Sequence, residues 1–223
     1  YIIDNENDVV IEAASSIIRV NTSTEGVQAN GASDDVAISA DGRFILFESE
    51  ADNLVAGDTN GLKDTFVKDL LTGVTTRVNT ATSGAQANGE GAEGVLSADG
   101  RYVAFDSTAS NLVTGDTNGL RDIFIKDMTT GVTTRVSTLA SGGQANGNSF
   151  SPSLSSNGRF LAFESGADNL VAGDSNWRCD IFVKDLTTGV VTLVTTTTAG
   201  GQANNHSYRP KVSADGRMVV FQS

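Results

Sequence analysis

The chain has 223 residues, 24 of them Gly and one of them Cys, and a formal net charge of −12 at pH 7. That charge excludes a phosphate-binding surface built on clustered Lys and Arg, and so argues against nucleic acid as a partner. It suits cations, and it equally serves solubility alone. The lone Cys179 excludes an intrachain disulfide, and no apolar run reaches the roughly 18 residues of a membrane span.

The text repeats every 58 residues without insertion. Gln28, Gln86, Gln144 and Gln202 keep this spacing, as do Phe47, Phe105, Phe163 and Phe221. A fixed period of this size means that each unit is a supersecondary module whose apolar face is covered by the next. The first 22 residues contain Val9-Val10-Ile11 and Ile17 to Val20, which read as the third and fourth strands of such a unit, with Arg19 in register with Arg77 and Arg135. In the second copy, Gly94 to Ser97 is a short strand ending in the turn Ala98-Asp99-Gly100. Arg101 to Phe105 is a near-continuous apolar run and reads as a strand buried on both faces. Asp122 to Asp127 is the third strand, and the β-branched Val132 to Ser137 is the fourth. The fourth copy carries its second strand at Met218 to Phe221.

Four short antiparallel strands per tandem repeat describe an all-β fold, a β-propeller. The expected organisation is a single domain over 1–223, with blades at about 23–79, 80–137 and 138–195 and a fourth formed by 196–223 with 1–22. Pairing of the N- and C-terminal half-blades would close a four-bladed ring and bury two sheet edges. A piece of a larger ring, or closure between chains, is the alternative. The chain begins at Tyr1 with no visible signal peptide, so its start reads as processed, trimmed or engineered.

The stretches LSADGRYVAF and DIFIKDMTTGVTTRVST resemble the WD40-like (PD40) repeat of TolB-type β-propellers. Residues 39–49, 97–107, 155–165 and 213–223 carry the first part, and 64–73, 122–131 and 180–189 the second. The resemblance implies the propeller fold. Such propellers serve as binding platforms, periplasmic partners and gates on peptidases, so it implies no single activity. The repeats here are longer by an NLVxGDTNG loop, and four blades stand where TolB-type rings usually have six.

That loop reads Asp-x-Asn-x-x-x-Asp three times: Asp58, Asn60, Asp64; Asp116, Asn118, Asp122; Asp174, Asn176, Asp180. Calcium needs six to eight oxygens. Two carboxylates, one amide and a backbone carbonyl from Leu62, Leu120 or Arg178 form a candidate site, with no soft ligand for zinc or copper. The competing reading is an Asx or Asn-Gly turn without metal. In the third copy Trp177 replaces Gly, yet all three oxygen-bearing residues remain. The Gln-Ala-Asn loops are expected on the same face as these acidic loops, locking blade to blade.

Positions that break the repeat are the places to look for specific binding. His206, Tyr208 and Arg209 enter an innermost strand and suit an anion or a sugar, and Trp177 suits stacking on a sugar or a partner. The Thr/Ser/Asn/Gly/Asp-rich composition points to an extracellular or periplasmic setting. The expected function is therefore a secreted, calcium-stabilised binding or self-assembly module, with a protein or glycan partner. A lectin or a polysaccharide-active enzyme is the alternative. One His and no Gly-x-Ser-x-Gly motif argue against an enzyme.

Overall fold

The computed structural model describes residues 10–13 and 16–223. Among them are sixteen strands and no helix. Three four-stranded antiparallel sheets follow one another along the chain. The first is β3 (Ser33–Ile38), β4 (Phe44–Ser49), β5 (Asp64–Asp69) and β6 (Thr75–Arg77). The second is β7 (Gly91–Leu96), β8 (Tyr102–Ser107), β9 (Asp122–Asp127) and β10 (Thr133–Arg135). The third is β11 (Ser149–Leu154), β12 (Phe160–Ser165), β13 (Asp180–Asp185) and β14 (Val191–Leu193). Two hairpins flank them: β1 (Val10–Ala13) with β2 (Ser16–Arg19), and β15 (Tyr208–Val212) with β16 (Val219–Gln222).

Among the described residues these hairpins stand as separate two-stranded sheets, with no strand pairing between them. Val220 and Phe221 of β16 are 65% and 36% exposed, whereas their counterparts Ala104 and Phe105 in β8 are fully buried. A third strand covers β8 on the side that β16 leaves open. The expected third strand near Val9 lies partly outside the described residues. Val10 and Ile11 fall in β1.

Each sheet is built by the same few residues. In the turn before β8, Ser97 Oγ donates to Asp99 Oδ1 (2.6 Å), Arg101 N donates to the same oxygen (3.0 Å), and Tyr102 N donates to Ser97 Oγ (2.9 Å). Only the glycine of this turn takes positive φ (Gly100, +69°). That requirement explains Asp-Gly without a type I′ turn, since type I′ needs positive φ at both central residues. Arg101 then reaches across to Asp127 at the end of β9 (2.8 Å) and lies over the Tyr102 ring. Inside the sheets, Phe47–Phe66, Phe105–Phe124 and Phe163–Phe182 stack at 5.7–5.9 Å.

Neighbouring sheets are joined by three devices. Hairpin tips bond in series, Ala40 N to Ala98 O, Ala98 N to Ser156 O and Ser156 N to Ala214 O. The tip glycines Gly100, Gly158 and Gly216 lie against the aromatic rings Phe44, Tyr102 and Phe160 of the sheet before. The buried lysines Lys68, Lys126 and Lys184 donate to Thr22, Thr80 and Thr138 at the end of the preceding unit. Apolar clusters fill the seams: Leu46, Val67 and Val78 of the first sheet pack with Val103, Phe105 and Phe124 of the second.

The innermost strands β3, β7, β11 and β15 line a common channel of about 440 Å³. Each carries a bulge with one non-glycine residue in the left-handed region: Asp35 (φ 47°), Glu93 (52°), Ser151 (52°) and Arg209 (52°). These four residues occupy one repeat position, and all border the channel.

Candidate functional site

The acidic loops run from the second to the third strand of each sheet. In the first, Asn60 Oδ1 accepts from Leu62 N (2.9 Å), and its Nδ2 donates to the Asp64 carboxylate (3.3 Å). The same Asx turn forms at Asn118 with Leu120 N (3.1 Å) and at Asn176 with Arg178 N (2.9 Å). The amide oxygen expected to ligate a cation is therefore engaged by backbone, and the amide nitrogen faces the carboxylate. Arg77 Nη1 sits between the acids of the first loop, 3.1 Å from Asp58 and 3.3 Å from Asp64. Arg135 Nη1 repeats this at 2.9 Å from Asp116 and 3.4 Å from Asp122. Two of the three loops thus carry their own cation. Trp177 takes φ 58°, close to its glycine counterparts Gly61 (65°) and Gly119 (67°), so the third copy keeps the turn at the cost of a strained residue.

The Gln-Ala-Asn loops are locks. Gln86 Nε2 donates to Asp58 Oδ1 (2.8 Å), and Gln202 Nε2 donates to Asp174 Oδ1 (3.0 Å). Asn146 exchanges hydrogen bonds with Asp168, donating from Nδ2 (2.6 Å) and accepting from its backbone N–H (3.1 Å). The Gln86 and Gln144 loops are thereby fastened to the loops on either side of them.

Of the repeat-breaking residues, Tyr208 and Arg209 reach one end of the channel, with His206 packed behind them. His206 Nδ1 accepts from Cys179 N (2.9 Å), the task that Asn148 Oδ1 performs for Arg121 N one repeat earlier (2.9 Å). His206 also stacks on Tyr208 at 5.9 Å, and its Nε2 lies 3.5 Å from Arg178 Nη1. Tyr208 and Arg209 border a pocket of about 430 Å³ with Glu93, Ser151, Glu164 and Gln222. Trp177 is 80% exposed in the adjoining loop and does not line it.

Glu164 was not singled out by the sequence. Its counterparts are Glu48 and Asp106, both buried and both paired with a cation of the third strand's approach: Lys63 Nζ lies 3.0 Å from Glu48, and Arg121 contacts Asp106. Lys63 also holds Asp34 (2.7 Å), so the acidic trio Asp34, Asp35 and Glu48 carries its own cation. In the third sheet the cation's position is taken by Cys179. Among the described residues Glu164 has no cationic side chain within ion-pair distance; its Oε2 accepts from Arg209 N (3.0 Å), with Ser151 and the more distant Arg209 charge beside it in the pocket. Burial raises the Glu164 carboxyl above its ordinary value, and burial followed by the charge of Glu164 raises the Cys179 thiol. The signal was present in the sequence as Lys63, Arg121, Cys179 at one repeat position, but it has meaning only once the carboxylates opposite are known.

Comparison with solved structures gives the architecture. TolB from Acinetobacter baumannii superposes with a TM-score of 0.52 at 17% identity, over 93% of this chain and 40% of that one. A protein assigned as TolB from Agrobacterium tumefaciens gives 0.53 at 20% identity, over 92% and 57%. The fold is that of a β-propeller, like these TolB structures. Oligogalacturonate lyase from Vibrio parahaemolyticus gives 0.52 at 14% identity, over 96% and 52%. The chain thus spans about half the length of these neighbours. At such identities the likeness concerns the fold alone. No protein-family model and no curated relative matches the sequence.

Proposed function

We propose that this propeller is an exported binding module, and that the pocket at Glu164 receives a cationic group presented by a protein partner. The observation that carries the proposal is the loss of the internal cation beside Glu164, where both equivalent carboxylates keep theirs. A half-buried carboxylate with no ion-paired cation, only the more distant charge of Arg209, is destabilised, and a lysine or arginine from outside would pair it directly. Glu93 at the rim adds a second carboxylate, Tyr208 an aromatic wall, and Ser151 and Gln222 hydrogen-bonding groups. The acidic net charge would speed the approach of such a partner. Export is supported by the composition and by the periplasmic setting that the resemblance to TolB-type propellers implies.

The test is titration with a lysine-rich peptide and with its fully acetylated form. Binding is expected for the first alone, and Glu164→Gln should weaken it roughly tenfold, the value of one charge-assisted hydrogen bond. Equal binding by wild type and Glu164→Gln would overturn the assignment. A glycan partner is the second reading, favoured by the exposed Trp177. A glycan array on wild type and Trp177→Ala decides it. Catalysis is not part of the proposal, because Nδ1 of the only histidine accepts a backbone hydrogen bond and its ring packs on Tyr208.

A further inference from the structure

Leu193 pairs with Phe182 in the same register in which Arg77 pairs with Phe66 and Arg135 with Phe124. The third sheet therefore has an apolar side chain where the first two place a guanidinium between paired aspartates. The aspartates themselves remain. Asp180 is fully buried, and its oxygens accept only from neutral donors, Thr195 Oγ1 (2.5 Å) and Asn176 Nδ2 (2.8 Å). Asp174 is 9% exposed, with Oδ1 accepting from Gln202 Nε2 (3.0 Å) and Oδ2 without any hydrogen-bond partner. Asp58 Oδ2 in the first loop also lacks a hydrogen bond, but there Arg77 balances the charge. The nearest candidate in the third loop, Arg178, turns its guanidinium towards His206 and forms no ion pair among the described residues.

We propose that the third acidic loop binds one hard divalent cation between Asp174 and Asp180, at the point which an arginine fills in the first two loops. In the first two loops one guanidinium nitrogen reaches both acids, so the same two positions bring the buried carboxylates of the third loop near one another; they repel in a medium of reduced dielectric, and a single bound dication cancels both charges. The donors are carboxylate oxygens with water completing the shell, which selects calcium or magnesium over soft metals. Asn176 does not ligate, because its oxygen is engaged by Arg178 N. With so few protein ligands the dissociation constant is expected at about 10⁻⁴–10⁻³ M. The raised pKa of Asp174, caused first by burial and then by Asp180, has the same origin. This site is independent of the pocket at Glu164.

Trp177, the only tryptophan of the chain, lies in this loop and serves as a built-in sensitiser. Terbium added to the whole chain with excitation of Trp177 should give emission that saturates at one ion per chain and is displaced by calcium. Calcium at about 10 mM should raise Tm by roughly 3–10 °C. Leu193→Arg restores the arrangement of the other two sheets. It should fold, lose at least tenfold of the emission and no longer respond to calcium, as should Asp174→Asn. Asp58→Asn should keep the full emission. Three ions per chain, retained binding in Leu193→Arg, loss of emission in Asp58→Asn, or a wild type indifferent to both ions would each overturn the proposal.

Discussion

Asp106 is almost wholly buried beside Arg121, and burial raises its carboxyl to about 7 against an ordinary value of 3.8. A carboxyl with a raised folded pKa holds its proton longer in the folded chain than in the unfolded one. Its contribution to stability is therefore present below about pH 4 and is lost as pH rises through about 7. Asp106→Asn has no proton to lose at this site. The difference in Tm between variant and wild type is expected to move in favour of the variant from pH 4 to pH 7 and to stay constant above. Thermal melts across that range check it, and a difference that does not change with pH would refute it. Glycines offer a second contrast at this scale. A Cβ at Gly115 meets nothing within 4 Å and suffers only from φ +79°. A Cβ at Gly147 would lie 2.4 Å from the backbone carbon of Gly166, which cannot step aside as a side chain can. Gly115→Ala should cost about 1 kcal/mol. Gly147→Ala should cost about 3 kcal/mol or more, because the end of the β11–β12 pairing in the third sheet must open. Urea denaturation of the two variants measures the gap.

At the scale of the strand, the seam lysines show how sheets that make no hydrogen-bonded ladder with one another hold their angle. Lys126 Nζ, buried in β9, donates to Thr80 O (3.1 Å) and Oγ1 (2.7 Å) of the preceding unit. Burial lowers its pKa, and no acid pairs with it among the described residues. Replacing it by Met keeps the apolar stem but removes both bonds. Lys126→Met is expected to lower stability by about 2 kcal/mol in urea denaturation, with an unchanged m-value. The strands themselves were legible because Val103-Ala104-Phe105 and Ile123-Phe124-Ile125 can only be buried strands, and because the 58-residue period repeats them. The acidic loops were legible as special but not as different from one another. Their difference lies in Arg77, Arg135 and Leu193, which sit on the fourth strand, 13 residues beyond the last loop aspartate. Only the register of β5 with β6 brings that residue back over the loop. Glu164 was hidden for the same reason, since its missing partner belongs to a different strand. The left-handed residues Asp35, Glu93, Ser151 and Arg209 carry no local sign at all, because four unlike side chains occupy the position.

Among the described residues the molecule is a run of three four-stranded sheets flanked by two two-stranded hairpins. Along β3 to β14 every second strand is covered by a third: Leu46, Phe47, Ala104, Phe105, Ala162 and Phe163 are fully buried. β16 repeats their pattern with Met218, Val219, Val220 and Phe221, but Met218 and Val220 are 67% and 65% exposed. An edge strand with free backbone groups and apolar side chains is a template for another strand. The hairpin β1–β2 is made for that place, since Arg19 follows the register of Arg77 and Val20 is buried against the first sheet as Val78 is against the second. Among the described residues no strand pairs with β16 on its outer side, and a hairpin from another copy would fit there. A heterologous contact of this kind, head to tail, gives rings or short filaments. Light scattering on a dilution series is expected to show mass rising with concentration above that of one chain. Val220→Lys places a charge on the open edge and should shift the population to single chains. Val36→Lys, at another valine more than half exposed but on the inner strand β3, should leave it unchanged. A wild type that stays at the mass of one chain up to about millimolar concentration would show that the exposed edge is silent, and equal behaviour of the two lysine variants would show that association, if present, uses another surface.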